Sequence, residues 1–177
     1  MRPPEGKWVR SQAPAAGDTL GQYGALASCV VAPHDVATRC LARLRALSDG
    51  VVADMPNLLD GAEKYVAGDF EGAALAWQPM LARESWQLMS IRDVVADAFE
   101  RAGKDDLVER VDARALAGPG RFNGGELAYA RAARRAERAK DYNAARMWAQ
   151  KLIDAWNVAD VKVPVVAEMR KLVARLP

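Results

Sequence analysis

Histidine occurs once and cysteine twice in the 177 residues of this chain, and that shortage removes several chemistries. With His34 alone there is no serine–histidine–aspartate set for nucleophilic catalysis. Cys29, His34 and Cys40 are separated by five and six residues, which fits no zinc arrangement, and a fourth ligand is missing. A domain of this size needs no disulfide framework. The two cysteines therefore read as free thiols, small hydrophobes inside apolar helical runs, and the chain as resident in a reducing, cytoplasmic compartment. Apolar runs nowhere approach the roughly 20 residues that a membrane span requires. Val/Ile stretches with strand alternation hardly occur, and the H-R-D and D-F-G signatures of kinases are missing. No catalytic centre, metal or cofactor is expected.

What remains is a soluble globular composition, half apolar and a quarter charged. The net charge of +2 hides an uneven distribution. Residues 84–112 carry eight acids against four bases, a net of −4, and residues 118–151 carry eight bases against three acids, a net of +5. Residues 1–17 are rich in Pro, Ala and Gly and lack the apolar core of a secretion signal. They read as a linker, their abrupt start as the edge of a piece of a longer polypeptide, and residues 18–177 as one folded domain.

Alanine, leucine, arginine and glutamate dominate that domain, and all four favour helices. Apolar spacing locates the helical faces: Leu41, Leu44 and Leu47 in 35–47, then Val94, Val95, Ala98, Phe99 and Ala102 in 86–102. In 142–157 the face is Met147, Trp148, Ala149, Leu152, Ile153 and Trp156. Short polar breaks fall at Pro33–His34–Asp35, Gly68–Asp69–Phe70, Gly103–Lys104–Asp105 and Lys140–Asp141–Tyr142, separated by 35, 35 and 37 residues. A period in the mid-thirties made of helix–turn–helix units marks an α-solenoid, because one helix pair cannot bury its own apolar face and must stack on the next.

The repeats resemble the tetratricopeptide family. YVAGDFEGAALAW (65–77) places a Gly68–Asp69 turn before Phe70, a small residue at Ala73 and a large aromatic at Trp77. KDYNAARMWA (140–149) repeats this with Asp141, Tyr142 and Ala145, whereas RAGKDDLVERV (101–111) keeps Gly103 but has Val108 where alanine is usual. Seven residues before each turn, where the motif wants a small side chain, stand Leu26, Gly61, Ala96 and Ala133. The resemblance implies an all-α fold of about four antiparallel helix pairs in a right-handed superhelix. The tail DAWNVADVKVPVVAEMRKLVARL (154–176) would close it with a capping helix at 164–175. The whole is similar to repeat arrays attached to bacterial serine/threonine kinases and other signalling proteins.

In that family the first helix of each pair lines a concave groove. The resemblance thus implies a lining of Tyr65, of Asp93, Asp97, Glu100 and Arg101, and of Arg134 and Arg138, with Arg131 on the same helix side. The expected function is non-enzymatic: a protein-interaction or scaffolding module holding a partner peptide or helix, one with an acidic segment suiting the arginines. A regulatory or dimerisation segment of a larger signalling protein is the second reading. Nucleic acid is the third, weakened by the lack of aromatics interleaved with the arginines and of overall basic charge. The tryptophans Trp77, Trp148 and Trp156 read as core.

AGPGRFNGGE (117–126) stands apart, with four glycines ahead of the arginine-rich helix. Glycine-freed N–H groups at a helix start are a way to cradle phosphate. No strand precedes it, however, the G-x-G-x-x-G spacing is missed by one residue, and no Lys-Ser or Lys-Thr follows. The favoured reading is a joint that absorbs the two extra residues of the longest period and sets an inter-repeat angle. An anion site is the alternative.

Overall fold

The structure, a computed structural model, describes residues 19–48, 54–82, 91–117, 126–156 and 163–177. The 1–17 linker and the 118–125 loop lie outside these residues. Among the described residues every regular element but a single 3₁₀ residue is α-helix: α1 (Thr19–Val30), α2 (His34–Leu47), α3 (Met55–Val66), α4 (Phe70–Ala82), α5 (Arg92–Arg101), α6 (Asp105–Ala117), α7 (Glu126–Arg138), α8 (Tyr142–Ala155) and α9 (Pro164–Arg175). None is long and apolar enough to cross a membrane. The chain is all-α and divides into two compact units, residues 1–107 and 108–177. The boundary separates charge as well. Counted over the sequence, the first unit has 15 acids and 11 bases, a net of −4, and the second has 8 acids and 14 bases, a net of +6.

Three turns are copies of one another. After α3, α5 and α7 the chain passes through Gly68 (φ 82°), Gly103 (φ 69°) and Lys140 (φ 60°). Each is followed by the same long bond back into the helix: Asp69 N–H to Lys64 O, Lys104 N–H to Phe99 O and Asp141 N–H to Ala136 O, all 2.9 Å. A second bond runs from each left-handed residue to the carbonyl three back: Gly68 to Tyr65, Gly103 to Glu100 and Lys140 to Glu137. This is the glycine-type helix stop, which satisfies the orphan carbonyls of the last turn. Asp69 and Asp141 then cap the next helix, accepting from Gly72 N–H at 2.9 Å and Ala144 N–H at 3.0 Å. Lys104, at the equivalent place, has no acceptor to offer.

Lys140 takes a backbone conformation that suits glycine better, so Lys140→Gly should raise stability by about 1 kcal/mol. A urea midpoint that moves down instead would contradict this reading of the turn.

In the first unit α1 lies against α2 and α3, α3 against α4, and α4 against α5. Trp77 of α4 is completely buried and donates its indole N–H to Leu58 O at 3.3 Å. A Cβ on Gly61 would clash with that ring, so glycine is what allows α3 and α4 to approach. The positions where a small side chain was expected, met by Gly61, Ala96 and Ala133 but not by Leu26, and the second-helix positions Ala73, Val108 and Ala145 are all buried. Leu41 and Leu44 of α2 and Val95, Ala98 and Phe99 of α5 form the inward faces foreseen from their spacing.

The first turn departs from the other three. Pro33, with φ −53°, takes the place of Asp69, Lys104 and Asp141 ahead of the next helix and has no N–H for the long bond, while Ala32, where the others carry a left-handed residue, is not left-handed. His34, exposed as its turn position foretold, also brings Nδ1 to 3.0 Å from Val66 O and so ties α2 to the end of α3. Arg45 adds a two-pronged pair with Glu63 at 2.9 Å for each prong. The reading of Cys29 and Cys40 as free thiols is corrected: they form a disulfide between α1 and α2, with Cα atoms 5.5 Å apart. Two residues in apolar runs on either side of one turn look like packing thiols in the sequence, but the hairpin brings them together. The inference of a reducing compartment thereby loses its basis. α1 itself is a weak helix. Each of Gly21 and Gly24 costs about 1 kcal/mol relative to alanine. The amide of Gln22 is fully buried, and among the described residues neither its nitrogen nor its oxygen has a hydrogen-bond partner, a cost of about 1–3 kcal/mol.

In the second unit α7, α8 and α9 enclose one core. Ala130, Ala133, Ala145 and Ala149 let α7 and α8 come close, and α9 covers them with Val166, Met169 and Leu172. Burying a side chain such as Leu152 or Met169 contributes about 1.5–3 kcal/mol. Trp148 and Trp156 pack partly buried against this core. Met147 does not share their face: it is 45% exposed, because Ala145, Ala149 and Leu152 define the inward stripe of α8.

Candidate functional site

The expected lining residues fall into two groups, one in each unit. In the first unit, Tyr65 near the end of α3 donates its hydroxyl to Asp97 Oδ2 on α5 at 2.7 Å. Arg101, one helical turn after Asp97, reaches the same oxygen at 2.8 Å. Its guanidinium also lies 4.7 Å from the centre of the Phe70 ring, and Phe70 meets Tyr65 edge-on. Burial together with the bond to Asp97 pushes the Tyr65 phenol up to about 12, so it remains a donor throughout the physiological range. Tyr65, Asp97 and Arg101 are therefore brought together as expected, but they satisfy each other. Asp93 lies 3.8 Å from the buried Arg92, and Glu100 is half-buried on the same helix.

In the second unit the α7 arginines separate by depth. Arg131 points inward, 6% exposed, and donates from Nε and Nη2 to Asp112 Oδ1 of α6 at 2.9 and 2.7 Å. Arg135 closes on the other oxygen of Asp112 at 2.8 Å. Asp112 is completely buried. Arg131 therefore does not join a solvent-facing lining: the i, i+3, i+4, i+7 spacing puts the four arginines on one broad side of α7, but that side spans both core and surface.

Arg134 and Arg138 remain on the outer part. Arg134 forms a fork with Glu168 of α9, both bonds 2.7 Å, and this contact holds the Glu168 carboxyl below its ordinary range. One turn on, Glu137 of α7 accepts a second fork from Arg175 of α9 at 2.9 Å. These two forks join α7 to α9 along one surface. On that surface Arg138 follows Arg134 by one turn, and Lys171 sits between Glu168 and Arg175. Both are exposed, and among the described residues neither has an ion-pair partner within reach. Lys171, Glu168 and Arg175 were not foreseen, since α9 was read only as a cap. Their repeat-like offset of 34 residues from Arg134 to Glu168 was the available signal.

The aromatics nearby are occupied. Tyr129 stacks on Trp148 with ring centres 5.8 Å apart, and Lys151 Nζ lies 4.3 Å from the Trp148 ring. Among the described residues no cluster of three or more His, Cys, Asp or Glu side chains is arranged to hold a metal. No family model, curated protein or solved structure matches this chain.

Proposed function

We propose that this chain is a tetratricopeptide-like repeat module, an α-solenoid of antiparallel helix pairs closed by α9, and that it serves protein binding rather than catalysis. The reading is supported by three identically bonded turns at offsets of 35 and 37 residues, each placed between two helices. Its binding surface is the α7–α9 face of the second unit, and its partner is an extended peptide or helix with an acidic segment.

The observation that carries this is the pairing pattern on that face. Arg138 and Lys171 are exposed and unpaired among the described residues, and Arg134 and Arg175 are presented in forks by the exposed Glu168 and the half-buried Glu137. Exposed ion pairs contribute only about 0–1 kcal/mol, so an incoming carboxylate can replace Glu168 at little cost. Bidentate guanidinium–carboxylate bonds then supply direction. Nucleic acid suits the surface less, because the Trp148 ring, which could stack a base, already has Tyr129 and Lys151 against it.

The test is charge reversal. Arg134→Glu with Arg138→Glu should abolish binding of a glutamate-rich peptide, followed by fluorescence anisotropy, while the helical circular dichroism stays unchanged. Binding that survives the reversal refutes the proposal.

A further inference from the structure

The first helix pair is held differently from the others, and the difference has a chemical handle. Where α3, α5 and α7 end in a left-handed residue followed by a residue whose N–H makes a long bond back into the helix, the α1–α2 turn has Ala32, not left-handed and bonded through its N–H to Cys29 O at 3.2 Å, and then Pro33, which has no N–H for the long bond. The disulfide Cys29–Cys40 crosses this turn. α2 is fastened to α3 independently of it, through His34 to Val66 O and the Arg45–Glu63 fork. α1 combines two helix-weakening glycines with the buried amide of Gln22, which has no hydrogen-bond partner among the described residues.

We propose that Cys29–Cys40 is a redox latch for α1. Oxidised, it holds α1 on α2 and α3. Reduced, α1 detaches and opens the surface that it covers, while α2 and the helices after it stay folded. The reductant is a dithiol. Its thiolate attacks Sγ of Cys40, the half-buried residue of the pair, because Cys29 is only 1% exposed. The S–S bond breaks, Cys29 leaves as a thiolate and takes up a proton, and a mixed disulfide forms on Cys40. The second thiol of the reductant resolves it, freeing Cys40. Two electrons and two protons pass to the pair, and the dithiol becomes a disulfide. Without the crosslink α1 is a 12-residue segment, near the limit at which an isolated helix persists in water. Detachment also returns Gln22 to water.

The experiment is hydrogen exchange by mass spectrometry on the full chain, oxidised and then reduced with dithiothreitol, with alkylation confirming two free thiols. The expected result is exchange faster by about tenfold or more over residues 19–30, with 34–47 and 55–82 unchanged. The Cys29→Ala/Cys40→Ala variant should reproduce the pattern without reductant. Protection of 19–30 that survives full reduction overturns the proposal. So does an equal loss of protection through residue 82, which would make the disulfide a general brace rather than a latch on one helix.

Discussion

Gly61→Ala should destabilise the first unit by about 2 kcal/mol or more, although the same exchange in an unobstructed helix is stabilising. The reason is local. A methyl group at this position of α3 enters the indole ring of Trp77, which is fully buried and further held by its bond to Leu58 O. The ring cannot step aside without breaking that bond or moving α4. Gly24 supplies the control: nothing lies within 4 Å of its would-be Cβ, so Gly24→Ala should gain about 0.5–1 kcal/mol. Two Gly→Ala changes of opposite sign in urea melts would establish close helix approach at Gly61. If Gly61→Ala were neutral or stabilising, the α3–α4 contact described here would be wrong.

The second large effect is expected at Asp112. Its carboxylate takes three guanidinium bonds while fully buried, and Asp112→Ala withdraws it from both Arg131 and Arg135. Breaking a buried pair from one side costs about 3–5 kcal/mol, because the remaining charge stays desolvated. Replacing both partners, Asp112→Leu with Arg131→Leu, should cost clearly less than the two single changes added together. An additive result, or a loss below about 1 kcal/mol for Asp112→Ala, would mean that the pair is solvated and α6 is not anchored on α7 through it.

These two sites differ in how visible they are in the sequence. Gly61 stands seven residues before the Gly68–Asp69 turn, where the tetratricopeptide resemblance implied a small side chain, and Trp77 was read as core, although that the two meet was not foreseen. The turns at 68, 103 and 140 were legible because glycine and aspartate mark a helix stop and the next start through their own backbone preferences. Asp112 was not. It was counted among acids of a charged stretch, and nothing in helical spacing says that a residue 19 positions before Arg131 will be buried under it. Arg131 was misplaced with it, since a shared helix side covers more than 100° and includes residues of different depth. Met147 failed similarly: the apolar stripe of α8 runs through alanines, which carry a weak hydrophobic signal beside the larger side chain. Tyr65, Asp97 and Arg101 were grouped as a groove lining through the family resemblance, but their mutual bonding depends on side-chain reach, which spacing does not report. The disulfide escaped because cysteine in an apolar run has the same appearance oxidised or reduced.

The consequence for function is a shift of weight along the chain. Asp97 of the first unit is engaged with Arg101 and Tyr65, whereas the second unit, with its net charge of +6, presents Arg138 and Lys171 unpaired among the described residues. The proposed partner surface therefore rests on α7 and α9. Backbone amide chemical shifts of the chain, titrated with a glutamate-rich peptide at low salt, test this most directly. The account expects saturable shifts along α7 and α9 around Arg138 and Lys171, fading as salt is raised, with the amides of 58–77 unmoved. Shifts concentrated elsewhere, or none that saturate, would contradict it.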